Sequence, residues 1–469
     1  MPYSLTRAFD LTYPDGPQLI SPKFEASVSP HVAPQLVAPQ IVAPQIVAFT
    51  GAGGKTSLLV ALAGTLPGTL VLTTTTRMAK EQIDFAAATL PAAVSQYPNI
   101  SCIACTRISL IIGPDAPDDK VAGVGLEVPA QLLAQPGVSF VLVEADGARM
   151  LPLKAPAAHE PAIPPQSNLV IPIVGIDALN HPIADTAHRP ERVSELLEKS
   201  IADRIEALDF ATIVTHPDGG LKNVPRAARV IPAINKVETA EQLHAARRAA
   251  GAMLKEPRIR QVVLTAVERP DPVLEVHKRI RAVILAAGES SRMGRPKLLL
   301  PWENTTVLGR TIQNVQESTV FDSLVVMGAQ AEAVAGIAGE RGVPVLFNER
   351  YATGEMLSSL QTAVAGLPDE IDAVLVVLGD QPLVGPAIID QILTAYWQGK
   401  GDIIAPQYRS RRGNPVLIGR RYFEELLSIP RGGAPRDLLR KYPVYQVEVG
   451  SQAVLLDIDN PADYQDLRP

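Results

Sequence analysis

The sequence predicts an α/β protein built as two doubly wound, mostly parallel sheets in series. Three observations predict it. Apolar strand-like runs alternate with helical stretches along the chain. Two of these runs, residues 46–49 and 283–286, lead into glycine-bearing loops followed by cations. The 469 residues also exceed one ordinary domain. The expected division is an N-terminal segment 1–44, a first domain 45–275 and a second domain 279–469.

In the N-terminal segment VAPQ recurs over residues 32–47 and runs into the first strand. Repeated proline favours an extended polyproline-like linker over a partner-binding tether. Residues 46–57 then read IVAFTGAGGKTS. Gly51, Gly53 and Gly54 permit a tight loop whose amides can cradle phosphates, Lys55 can reach their oxygens, and the Thr56 hydroxyl can hold Mg2+. The helix that follows carries Leu58, Leu59, Leu62 and Leu66. Phe49 stands where the usual phosphate-loop pattern has glycine, so the match is incomplete.

Cys102 and Cys105, the chain's two cysteines, have C-x-x-C spacing. This is a redox pair, half a metal site or, as the strand-like apolar surroundings favour, two buried thiols. Residues 140–147, FVLVEADG, form a buried strand that delivers Glu144 and Asp146, and Asp146 is the expected partner of Thr56 in holding the metal. His188 is either a phosphate ligand or part of a helix-start turn. Residues 234–238, INKVE, place Asn235 and Lys236 as candidate nucleotide-binding residues, with guanine readout weighed against a helix start. ATP and GTP therefore both remain open as ligands of the first domain. A charged helical turn, EVHKR over 275–279, is the expected boundary.

The second domain opens with residues 284–297, ILAAGESSRMGRPK, the most informative stretch of the chain. Leu285, Ala286, Ala287, Gly288, Ser290 and Gly294 form the expected nucleotide loop, and Arg292 and Lys297 supply positive charge. Residues 373–380, AVLVVLGD, bring Asp380 to the carboxyl end of a central strand, where a hard carboxylate suits Mg2+ carrying triphosphate. Residues 454–459, VLLDID, are expected as a strand with Asp457 and Asp459 on one face, and Asp459 is the second candidate metal ligand. Substrate recognition is expected from 348–359 and from the basic loop 409–414, for which a solvated hairpin is the competing reading.

Those motifs carry a resemblance. LAAG, RMG, PK, SSL at 358–360, GDQP at 379–382, RRGNPV at 411–416 and DIDNPADY resemble, in this order, the molybdenum cofactor cytidylyltransferases. The resemblance covers 279 to the C-terminus and implies a nucleotide-diphospho-sugar-transferase-like (Rossmann-like) fold, CTP as substrate, Mg2+, and molybdenum cofactor (molybdopterin) as acceptor. Guanine-specific relatives read LAGG, so Ala287 leans toward cytidine. Arg292, Lys297 and Asp380 take the catalytic roles. The loop RGGAPRD at 431–437 fits the family loosely, with Pro435 where a helix should begin.

Upstream, GAGGKTS, TTTTRM at 73–78, VEADGAR at 143–149 with Lys154, HRPERV at 188–193, THPDGGLK at 215–222 and NKVE resemble the accessory proteins of selenium-dependent molybdenum hydroxylases. This family is phosphate-loop NTPase-like, and the resemblance implies a role in hydroxylase maturation with a molybdenum hydroxylase apo-enzyme as partner. Two other readings stay open. One is nucleotidyl transfer to a sugar or alcohol phosphate, or with GTP; the other is a nucleotide-gated scaffold that delivers cofactor.

Composition removes further classes. A net charge of −6 and pI near 5.8 give no basic field for nucleic acid. Mean hydropathy is +0.12, yet no apolar run reaches the roughly 18 residues of a membrane helix, and no signal-like core follows a basic start. A cytoplasmic location is expected.

Overall fold

The structure, a computed structural model, describes residues 3–11, 45–290, 293–353 and 355–469. The VAPQ segment up to residue 44 and Arg292 lie outside the described residues. The chain divides into two compact units, one of residues 3–276 and one of residues 277–469.

The first unit is a parallel sheet in the order Gln261–Thr265, Ala233–Asn235, Leu169–Gly175, Gln45–Gly51, Val138–Glu144, Thr69–Thr74, Ile108–Ile112, Ala93–Gln96. The central strands are largely apolar and buried because both sheet faces are covered, while the edge strand Ala93–Gln96 alternates half-buried and exposed residues. Strand order reverses direction at Gln45–Gly51, which lies between Leu169–Gly175 and Val138–Glu144. Ligands of doubly wound sheets bind at such a switch point, beyond the carboxyl ends of the strands. Residues 1–44 were set apart from the domain by sequence, but helix Leu5–Ala8 and the residues after it bury Leu5, Ala8, Phe9 and Leu11 in this unit's core.

The second unit has a mixed sheet. Val345–Phe347, Asp322–Met327, Ile280–Ala286 and Ala373–Leu378 run parallel, and Val416–Gly419 then joins antiparallel and pairs with Ile403–Tyr408. Register sets Leu285 opposite Leu378, so the loops after both strands open side by side. The fold class read from the sequence, two α/β units with mostly parallel sheets, is the one observed.

Three local expectations are corrected. Residues 275–279 are extended, within and just after strand Val273–Lys278, and make no helical turn; Glu275 is buried and bound by Arg247 at 3.0 and 3.2 Å. Residues 456–459 form no strand: a 3-10 turn Gln452–Leu455 precedes them and helix Pro461–Leu467, capped by Asn460, follows. Cys102 lies in the 3-10 turn Ser101–Ala104 and Cys105 caps its end; Cys105 is exposed and Cys102 half-buried. Pro435, in contrast, begins helix Pro435–Lys441, a first-turn position where its missing N–H costs nothing.

Candidate active site and nucleotide loop

In the second unit, the loops after Ile280–Ala286 and Ala373–Leu378 frame a cavity of about 350 Å³. It is lined by Leu285, Ala286, Ala287, Gly288, Ser290, Lys297, Asp380 and Asp459 from the sequence candidates. Gly294 has φ +66 and is not among the lining residues. Tyr351, Met356 and Ser359 come from the 348–359 segment expected to recognise substrate, while Leu298 and Leu378 are walls that sequence reasoning missed. Nothing local marks them, because their apolar character is equally that of core.

Lys297 is the centre of the cavity's charge. Its ammonium pairs with Asp380 and lies 3.0 Å from Asp459 Oδ1. Burial pulls its pKa down, but Asp380 and then Asp459 outweigh burial and raise it, so the side chain stays cationic. Asp457 lines the same cavity, and its carboxyl is pushed up by burial and then by the neighbouring charges of Asp380 and Asp459.

The position of the C-terminal carboxylates follows from packing. Ile458 is fully buried with Met293, Leu300, Trp302, Val307 and Tyr464, and its amide donates to the Asp380 carbonyl at 3.2 Å. Pinning Ile458 inward leaves its two neighbours, Asp457 and Asp459, on the cavity wall, the outcome that strand alternation was expected to give. Asn348 does similar work on the opposite side. Fully buried, it donates to Ser358 at 2.8 Å and Ser359 at 3.0 Å, fixing helix Glu355–Ala365 so that Ser359 faces the cavity.

A second cavity of about 420 Å³ shares Met356 and Leu378 with the first. Its polar wall is Arg412, Asn414 and Arg436, and the rest is largely Leu357, Leu360, Val376, Val416, Ile418 and Leu439. Arg411 and Arg412 are exposed in a hairpin whose tip residues, Arg409 and Ser410, have positive φ, so the solvated-hairpin reading describes the loop while Arg412 also reaches the cavity.

The first unit's loop sits at its sheet's switch point. Gly53 has φ +84, and a Cβ there would meet the Gly175 backbone at 2.1 Å, so only glycine fits. Three loop amides are already used: Gly51 donates to Asp146, Ala52 to the Ile173 carbonyl and Gly53 to the Leu151 carbonyl. The amides of Gly54, Lys55, Thr56 and Ser57, at the start of helix Lys55–Thr65, have no acceptor among the described residues. That cluster of donors is where an anion would be held.

Around it lies a buried ion network. Asp146 is 3.2 Å from both Lys55 and Lys154, and Lys154 is 2.9 Å from Glu160, which also binds Arg189 at 2.6 Å. Burial acts to raise the Glu160 carboxyl, but Arg189 and Lys154 override it and hold it at about 2. The Thr56 hydroxyl donates to Glu144 at 2.8 Å, so the structure brings Thr56 to Glu144 and leaves Asp146 among lysines. Burial raises the Glu144 carboxyl. Gln82, which carried no sequence signal, donates to the same hydroxyl at 3.0 Å.

Asn235 is fully buried. Its amide donates to the Gly53 carbonyl at 2.9 Å and its oxygen accepts from Thr265 at 2.9 Å, while Lys236 pairs with Asp177 at 2.7 Å. The side chain therefore props the loop. His188 is held below its usual pKa by burial and then by Arg189, Lys154 and Arg149, which makes it neutral and unsuited to bind phosphate by charge. Arg192 and Lys222 donate to the carbonyls of Pro156 at 2.5 Å and Ala157 at 2.7 Å, a structural use of two conspicuous motifs.

No helix among the described residues is long and apolar enough to cross a membrane. Residues 282–447 match the family described as the MobA-like NTP transferase domain, and residues 47–191 match the YqeC protein family. The chain is 33% identical over 201 residues to the uncharacterized protein YqeC of Escherichia coli (strain K12), covering 41% of this chain and 75% of that protein. It is 30% identical over 186 residues to the molybdenum cofactor cytidylyltransferase of the same strain, covering 39% of this chain and 93% of that one. The solved structure of Rv0371c from Mycobacterium tuberculosis H37Rv matches with 30% identity and a TM-score of 0.36, over 40% of this chain and 98% of its own. The chain thus belongs to the YqeC family through its N-terminal part and to the MobA-like NTP transferases through its C-terminal part, and it is a nucleotidyltransferase.

Proposed function

We propose that the second unit transfers CMP from CTP to molybdenum cofactor and releases pyrophosphate. The observation that carries this reading is the Lys297 ammonium held between Asp380 and Asp459 on the wall of a cavity framed by the Ala286–Gly288 loop. The similarity to a molybdenum cofactor cytidylyltransferase supports the choice of acceptor and base.

The donor set suits a divalent cation. Two carboxylates flank a single cationic atom, and Asp457, raised by burial and then by their charge, lies beside them. Among the described residues no group of three or more acidic, histidine or cysteine side chains is arranged as a complete metal cage. Mg2+ is commonly bound by one or two carboxylates, with the rest of its shell from water and substrate phosphates. Asp380 and Asp459 would hold Mg2+, which supplies Lewis-acid charge to the triphosphate.

The protein's own part is positioning and charge. Lys297 turns from its carboxylate partners toward the phosphate oxygens and offsets the negative charge that grows as the α-phosphorus–oxygen bond to pyrophosphate breaks. The acceptor's terminal phosphate is already anionic at neutral pH, so no general base is needed. Arg412 and Arg436 bind that phosphate in the second cavity, and the apolar wall of Leu357, Leu360, Val416 and Leu439 takes a flat ring system. Arg292 belongs to the same proposal as a second charge donor.

The first unit, on this reading, binds a nucleoside triphosphate at Gly54–Ser57 and serves maturation of a molybdenum hydroxylase, with Thr56 and the carboxylates near it holding its metal. Engagement of Asn235 with Gly53 favours nucleotide binding without guanine selection.

The test is pyrophosphate release with Mg2+ and molybdenum cofactor, comparing CTP, GTP, ATP and UTP, with Asp380→Ala as control. Release with CTP and its loss in the variant is the expected result. Release with GTP instead, or with sugar phosphates in place of the cofactor, overturns the assignment of base or acceptor.

A further inference from the structure

The C-x-x-C pair is a motif that the nucleotide chemistry of neither unit uses. Residues Ser101–Ala104 form a single 3-10 turn between strands Ala93–Gln96 and Ile108–Ile112, closed by the Cys105 amide donating to the Cys102 carbonyl at 3.1 Å. Side chains three apart eclipse in a 3-10 turn, and three steps of about 2.0 Å set their Cα atoms about 6 Å apart. Disulfides span roughly 4.4–6.8 Å between Cα atoms, so the ideal spacing of such a turn falls within the range of a bond. The Thr106 hydroxyl donates to the Cys102 carbonyl at 2.9 Å and holds the end of the turn in place.

The two thiols are free and differ in access. Cys105 is exposed, while Cys102 packs half-buried against a core that includes Ile46, Ile103, Val128 and Leu132. An exposed thiol backed by a shielded one on an eclipsed turn is the arrangement of an attacking and a resolving cysteine.

We propose that Cys102 and Cys105 form a redox-active dithiol whose substrate class is an accessible disulfide. The Cys105 thiolate attacks one sulfur of the disulfide, forming a mixed disulfide and releasing one thiolate. The Cys102 thiolate then attacks Cys105 Sγ, the Cys102–Cys105 bond forms, and the second thiolate leaves. Two electrons pass to the substrate disulfide, and the two cysteine protons end on the two released thiols.

The full-length protein, reduced and then incubated with oxidised glutathione, tests this by acid quench and intact-mass measurement. Because the chain has two cysteines, every product is assignable. The wild type is expected to lose two hydrogens with no adduct retained. The Cys102→Ser variant should hold one glutathione on Cys105, and Cys105→Ser should react on the order of tenfold more slowly, since reaction follows thiol access. A stable glutathione adduct on the wild type, disulfide-linked chains, or unreacted thiols would each overturn the proposal. Thermal melting of both variants distinguishes lost chemistry from lost fold.

Discussion

Lys297 Nζ lies 3.0 Å from Asp459 Oδ1, joining residues 162 positions apart in the chain. The same ammonium pairs with Asp380. One cation thus joins the loop after the first strand of the second unit, the end of a central strand and the approach to the last helix.

Replacing Lys297 by alanine removes that cation. The rate of pyrophosphate release should fall by a factor on the order of a hundred or more, as for other donors that act on transition-state charge. Steady-state kinetics at saturating nucleotide check this, and an unchanged kcat would remove Lys297 from the mechanism.

Asp457 gives a pH dependence of defined sign. Its folded pKa lies above the ordinary 3.8, from burial and the charges of Asp380 and Asp459. The folded state therefore binds the proton more tightly, and this group's contribution to stability declines as pH rises from about 3.8 through the raised value. Asp457→Asn should flatten the decline over that window in denaturant titrations at graded pH. A slope identical to wild type would count against it.

Glu160 has the opposite sign. Its pKa is held at about 2 against an ordinary 4.5, so its stabilisation is fully present above 4.5 and is lost as pH falls toward about 2. The shift corresponds to about 3 kcal/mol, and Glu160→Gln should lose a stability of that order at neutral pH. Equal stability of variant and wild type at pH 7 would show that the Lys154 and Arg189 contacts contribute nothing net.

Asn235→Ala leaves the Gly53 carbonyl and the Thr265 hydroxyl without their buried partner. The expected cost is about 1–3 kcal/mol of stability. If Asn235 is a prop for the loop, calorimetric titration should show affinity for ATP and GTP falling by the same factor. A loss confined to GTP would restore the base-reading role.

Arg436 tests the second cavity. On the proposed assignment of the two cavities, Arg436→Ala should raise the KM for the phosphate acceptor while leaving the KM for CTP in place, because the residue lines the second cavity and not the first. A matched rise in both would place it outside acceptor recognition.

The sequence by itself determined the central strands of both units and the two glycine loops, but not the ends of each unit, where 275–279 is extended and 456–459 is no strand. Apolar runs of strand length and glycines ahead of Lys55 or near Lys297 are local signals, set by backbone geometry and burial. It also put Glu144 at a strand end and Asp380 just past one. Tertiary structure decided which of them meet. Thr56 meets Glu144 and not Asp146 because register sets Phe49 opposite Glu144, while Asp146, beyond the strand end, turns to two lysines. Asp457 and Asp459 reach one cavity without a strand because Ile458 is fixed inward by packing. The exposure of Cys105 depends on a 3-10 turn that an apolar run does not announce. Asn235 became a prop because Gly53, 182 residues away, presents its carbonyl there. Such pairings depend on sheet order and on side-chain direction in the folded chain, and neither quantity is local in sequence.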